Sequence, residues 1–194
     1  MPDDRASDTE PRTGGAEDGA AALVRGAAVT LRRDVRLWQA TLWPAGFAEG
    51  SARLSAALRL ALPAPGGSAV GAAGRLFRAA PLVWALLDPP REPDEGPPAA
   101  LRGIGPEAGA VAELGPGLAR LAVEGPAAAE LLARAVSLDL RPAAFGPGAV
   151  ARTGWRGAEV TLLRPETGGF VLLVPLSQAE DMAALLRRHA RQFG

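Results

Sequence analysis

The sequence predicts an α+β protein in which antiparallel sheets carry packed helices. Three observations lead there. Strand-like runs follow one another across short turns, the wiring of antiparallel pairs. Helical periodicity is confined to three segments, each set off by a capping or turn signal. The order β-β-α-β-β occurs twice, which suggests two halves related by a pseudo-twofold axis.

In the first half, Val29–Arg33 and Leu37–Trp43 read as strands joined by a tight turn near Asp34. A helix is expected over Ala52–Leu62, with Leu54, Ala57, Leu58 and Ala61 on one face and Ser51 as its cap. Pro63–Gly74 reads as a loop. Arg75–Ala79 and Val83–Leu87 read as further strands.

The second half opens with Ala110–Glu113, a Gly115-Pro116-Gly117 turn and Leu118–Val123. Gly125 and Pro126 start a helix, because Pro at its first position is preorganised. Its apolar face holds Leu131, Leu132, Ala135 and Val136. Strands follow at Gly148–Thr153, Glu159–Arg164 and Gly169–Val174. In the last helix Ser177 and Glu180 have capping-box spacing. Acids stand at its start and Arg187, Arg188 and Arg191 at its end, as the macrodipole favours. Met182, Leu185, Leu186 and Phe193 form its apolar stripe.

Two segments interrupt this pattern. Residues 1–20 hold six acids, two arginines and almost nothing to bury, so a disordered acidic tail is expected. Residues 21–194 then form one domain. Asp88–Ala100 contains Pro89, Pro90, Pro93, Pro97 and Pro98 among four acids, which reads as an exposed Pro-rich linker at 88–100.

Composition excludes more chemistry than it suggests. Of 194 residues none is Cys, Lys or Tyr, and His189 is the only imidazole. Thiolate zinc sites, disulfides, Schiff bases, P-loop lysines and Ser-His-Asp triads at any other histidine are thereby absent. The glycines Gly67, Gly71 and Gly74 lack the spacing of a nucleotide loop and read as a flexible connection. His189 lies at the edge of the last helix's stripe and reads as a half-buried helical histidine. Asp88, Glu92, Asp94 and Glu95 read as a solvated run rather than a metal site. No catalytic, cofactor-binding or metal residue is assigned.

Zero net charge points to neither nucleic acid nor an anionic membrane. The acidic N-terminus has the wrong sign for a leader, and no run of about 18 apolar residues occurs. A soluble cytoplasmic protein is expected. Three tryptophans remain as candidate interface residues. Trp38 and Trp43 are five apart on one strand and therefore face opposite ways. Trp155 stands by the Gly154–Gly157 turn, where a loop would display it.

The run Leu121-Ala-Val-Glu-Gly125-Pro126-Ala-Ala-Ala-Glu-Leu131-Leu132-Ala133 resembles a strand–helix segment of the gamma subunit of heterotetrameric sarcosine oxidase. In the same order follow Leu138-Asp139-Leu140, Phe145-Gly-Pro147-Gly148, Thr153, Leu172-Leu173-Val174-Pro175 and the closing Phe193-Gly194. Val136 and Ser137 stand where that family usually has Cys-Pro. Of its Gly-Pro-Asp-Glu-Trp turn only Trp84 remains. The same folding unit occurs in the folate-binding domains of the glycine-cleavage T-protein class.

The resemblance implies a non-catalytic gamma subunit in a sarcosine-oxidase-like complex. That complex would demethylate sarcosine, or a similar secondary amine, oxidatively. It also implies large alpha and beta and small delta subunits as partners. FAD, FMN, NAD and tetrahydrofolate would belong to those other subunits. The alternative is a free-standing folate-binding T-protein-like domain, and an unrelated scaffold is a third reading.

Overall fold

Period-two alternation along the strands sorts the apolar side chains into three layers. The computed structural model describes residues 22–24, 26–94 and 96–191. In chain order the elements are β1 (Ala22–Val24), β2 (Ala27–Arg32), β3 (Leu37–Leu42), α1 (Phe47–Leu58), β4 (Ser68–Gly71), β5 (Gly74–Ala80), β6 (Val83–Leu87) and β7 (Gly109–Glu113). They continue with β8 (Leu118–Glu124), α2 (Ala128–Ala133), β9 (Val150–Trp155), β10 (Ala158–Leu163), β11 (Phe170–Pro175) and α3 (Ala179–Ala190).

The strands form two sheets, both antiparallel. One has six strands in the order β1-β2-β8-β11-β10-β9, the other five in the order β4-β5-β6-β3-β7. Ala119, Leu121 and Val123 of β8 point to one face of the larger sheet, together with Val29 and Leu31 of β2 and Leu172 and Val174 of β11. There α2 and α3 cover them with Leu131, Leu132, Met182 and Leu186, all fully buried. The opposite face presents Val150, Leu163 and Leu173 to Leu37, Phe77, Ala85 and Leu87 of the smaller sheet. The far side of the smaller sheet packs Ala40, Leu42, Trp84 and Leu86 against Leu54 and Leu58 of α1. The layers run helix, sheet, sheet, helix.

The sheets cut across the two halves of the sequence. The order β4-β5-β6-β3-β7 corresponds, strand for strand, to β9-β10-β11-β8-β2. Each half gives its first strand, β2 or β7, to the sheet of the other. Strand β1 is an extra on the outer edge of β2.

Polar contacts stitch the sheets together at two places on their rims. Gly67 bridges Ala149, Val150 N–H donates to Gly66 C=O and Ser68 N–H to Gly148 C=O, each bond 2.8 Å long. Over this seam the Arg75 guanidinium donates to Ser68 Oγ at 2.7 Å and to Glu166 at 2.5 Å. At another rim Arg120 of β8 donates to both Asp88 oxygens at 2.7 Å, just after β6. Gly125 turns the chain out of β8 at φ 106°, and a Cβ there would lie 2.3 Å from the Gly26 carbonyl. Only Gly accepts both conditions.

Several expectations are corrected. α1 starts at Phe47 and ends at Leu58, capped by Arg59 in the left-handed conformation rather than by Ser51 at its start. The loop Pro63–Gly74 contains β4, which is ordered by pairing with β5 rather than by its own alternation. α2 is shorter than its sequence pattern, although Leu131, Leu132 and Val136 are buried as expected. Ser177 lies in a 3₁₀ turn, no side chain caps α3, and Glu180 pairs with Arg33 instead. The Pro-rich segment is not simply exposed. Pro89, Pro98 and Ala100 are buried, and Leu101 and Ile104 beyond it join the core on the α1 side. Apolar burial two residues past the prolines pulls that segment onto the sheet. Residues 1–20, Glu95 and Phe193 lie outside the described residues.

Leu132→Ala is expected to cost about 2–5 kcal/mol, because the side chain is fully enclosed between α2 and the larger sheet. A denaturant melt measures it, and an unchanged midpoint would contradict this packing. The Arg75 hydrogen bond holds the Glu166 carboxyl below its ordinary pKa. Its stabilisation is therefore complete above pH ~4.3 and fades as pH falls through the lowered folded value. With Glu166 half exposed, the expected contribution is below about 1 kcal/mol. Comparing wild type and Glu166→Gln at pH 7 and pH 3 by thermal melt should show a difference at pH 7 that shrinks at pH 3.

Candidate functional site

Arginine is the only abundant cation here, and much of it is already engaged. Arg53 meets Glu49 and Glu107, Arg102 meets Glu92 and Asp94, and Arg152 meets Glu159. Asp88, Glu92 and Asp94, which the sequence places in one acidic run, are thus ion-paired side chains. Among the described residues no group of three or more potential ligands converges as a metal site. His189 is half-buried on α3, with its Nδ1 enclosed and without a hydrogen-bond partner.

The segments that carry the sequence resemblance are held by structural contacts. Arg141 donates side-chain and backbone hydrogen bonds to Asp139 and lowers that carboxyl to a pKa of about 2. Arg164 donates to the carbonyls of Phe145 (2.6 Å) and Leu140 (3.3 Å) and lies 5.2 Å above the Phe170 ring. One guanidinium thereby fastens both Leu138-Asp139-Leu140 and Phe145-Gly-Pro147-Gly148 to the larger sheet. Leu140 and Phe145 are buried, whereas Asp139 and Arg141 form an exposed ion pair.

The tryptophans separate by environment. Trp43 follows the end of β3 with its indole 42% exposed, and its Nε1 donates to Pro106 C=O at 2.8 Å. Trp38 is half-buried on the α1 side of β3. Its free edge opens on a surface cleft of about 380 Å³, lined also by Arg36, Arg91, Glu113 and prolines of the 88–100 segment. Trp155 is corrected: only 4% exposed, it ends β9 and sits in the core beneath the helices. The turn is made by Arg156 and Gly157, at φ 53° and 79°. Trp155 shares its strand face with Ala151 and Thr153, so alternation sends the ring inward before the turn begins. Trp84 is buried under the Arg78 guanidinium, 5.2 Å from its ring.

Other features had no signal in the sequence. Leu114 and Leu176 are exposed leucines, on the turn before β8 and just after β11. Pro175 pairs with Leu118, so both lie at the same end of the sheets. A second, apolar cleft of about 230 Å³ lies between Ala79–Pro81 and Val150–Arg152, where the sheets meet. Among the described residues no charged or polar residue is fully buried. The surface presents exposed apolar side chains and open strand edges.

No family model matches the chain, and no curated protein matches it. Solved structures do. A chain of the heterotetrameric sarcosine oxidase from Corynebacterium sp. U-96, solved in complex with pyrrole 2-carboxylate, aligns at a TM-score of 0.75 and 28% identity. The match covers 91% of this chain and 90% of that one. The glycine cleavage system aminomethyltransferase T from Bartonella henselae aligns at a TM-score of 0.54 and 19% identity, over 87% of this chain and 50% of that one. This second likeness is one of fold alone. No helix among the described residues is long and apolar enough to cross a membrane. In fold and in sequence, over nine-tenths of its length, the chain is similar to a chain of heterotetrameric sarcosine oxidase, on a fold that the glycine-cleavage aminomethyltransferase shares.

Proposed function

We propose that the chain is a non-catalytic, gamma-type subunit of a sarcosine-oxidase-like complex that oxidatively demethylates sarcosine or a similar secondary amine. The observation that carries this is the extent of the match. It runs through nine-tenths of both chains at 28% identity, so it is not confined to one segment. The residue inventory supports it, since the chain has no Cys, Lys or Tyr and one His. In this reading the partners are large alpha and beta and small delta subunits. Those subunits carry FAD, FMN, NAD and tetrahydrofolate. This chain contributes surface, with Trp43 and Trp38 as its aromatic anchors, and acts in the cytoplasm.

Co-expression with the oxidase subunits of its own organism tests the reading. The chain should co-purify with them through gel filtration, and the isolated chain should hold no flavin. Trp43→Ala should weaken assembly about tenfold while lowering the melting temperature of the free chain by no more than about 4 °C, the cost of its Pro106 hydrogen bond. Trp155→Ala should behave in the opposite way and destabilise folding by about 3–5 kcal/mol, because its ring is buried. A monomer that co-purifies with none of these subunits and binds tetrahydrofolate alone would replace this function with the free-standing folate-binding one.

A further inference from the structure

Strands β2 and β7 hold corresponding places, each the first strand of its half and each given to the other sheet. Their outer edges differ. β1 covers β2, with Ala22 opposite Val29 and Val24 opposite Ala27. β7 ends its sheet.

The direction of its backbone groups follows from the flanking bonds. Trp43 N–H donates to Ala108 C=O and Leu114 N–H to Leu37 C=O, both at 2.8 Å. The even-numbered residues therefore bond to β3, and Val111 and Glu113 aim N–H and C=O away from the sheet. The outward N–H of Gly109 is taken by Gly105 C=O at 3.0 Å. Among the described residues nothing takes the outer groups of Val111 and Glu113.

Edge strands are ordinarily guarded by proline, inserted cations or bulges. Gly109–Ala112 has none of these, and Ala110 and Ala112 are exposed with only a methyl each. The outer edge of β9 is different. Gly66 already takes its first residue, and Arg152 stands over it in an ion pair with Glu159.

We propose that the outer edge of β7 is a β-augmentation site. It receives a short extended segment of another subunit, antiparallel to Gly109–Glu113, in the place that β1 holds on β2. Donors and acceptors repeating every second residue are complemented by another backbone strand. The two alanines let small or β-branched residues of that strand lie flat against the sheet. The site rests on the subunit reading above and names where that partner binds.

Amide hydrogen exchange on the free chain and on the co-expressed complex tests this. The amides of Val111 and Glu113 should exchange quickly in the free chain and at least about tenfold more slowly in the complex. Glu113→Pro removes only an outward N–H, which an edge strand tolerates. It should raise the Kd of assembly about tenfold, the equivalent of one or two backbone hydrogen bonds, whereas Glu113→Ala should not. If the proline variant fails to fold, the wild-type exchange data decide alone. A complex that forms without protecting these two amides overturns the site and leaves the subunit reading intact. Absence of any complex overturns both. Protection already present in the free chain, from a second copy or from the chain's own terminus, overturns the site as well.

Discussion

The constraint on which the rest of the structure depends is that both sheets are covered on both faces. The larger sheet meets helices on one side and the smaller sheet on the other. β11 shows what this requires, because Phe170, Leu172 and Val174 face the helices while Val171 and Leu173 face the other sheet. β6 does the same for the smaller sheet, with Trp84 and Leu86 toward α1 and Ala85 and Leu87 toward the middle. Burial at about 25 cal/mol per Å² of apolar surface then acts in three layers at once. The reciprocal exchange of β2 and β7 ties those layers together, so neither half can close its sheet without the other.

The same constraint explains the polar architecture. Where the sheets' rims meet, backbone groups and charges are paired across the seam, as in Ser68–Gly148, Arg75–Glu166 and Arg120–Asp88. A buried charge without a partner would cost several kcal/mol, so arginines appear at rims and ends. Much of the charge of this chain is spent on holding its own pieces in place. The surface keeps an exposed indole, exposed leucines and an unguarded strand edge.

Much of the fold was legible in the residues. Apolar alternation marks β2, β3, β5, β6 and β8 to β11, because a strand buried on one or both faces must write its pattern into the sequence. Leu131 and Leu132, or Met182 and Leu186, announce their helices for the same reason. β4 was not legible. Ser68–Gly71 has weak strand propensity and is ordered by its pairing with β5 and the Gly148 seam. The capping box at Ser177 was legible and misleading, because Arg33, distant in sequence, offers Glu180 a partner that no local rule anticipates.

For the surface the division is sharper. Composition alone determined that thiol, lysine and phenol chemistry are absent, since a missing residue type is missing in every conformation. Alternation predicts opposite faces for Trp38 and Trp43, whereas β3 ends at Leu42, one residue before Trp43. Only the tertiary structure decided that Trp155 is core and Trp43 is surface, because burial depends on which layer lies opposite a side chain. Only it showed that β2 and β7 are counterparts with one edge covered and the other open. A strand's sequence records which of its faces are buried. It carries no record of which backbone edge finds a neighbour, because every residue brings the same N–H and C=O to that edge.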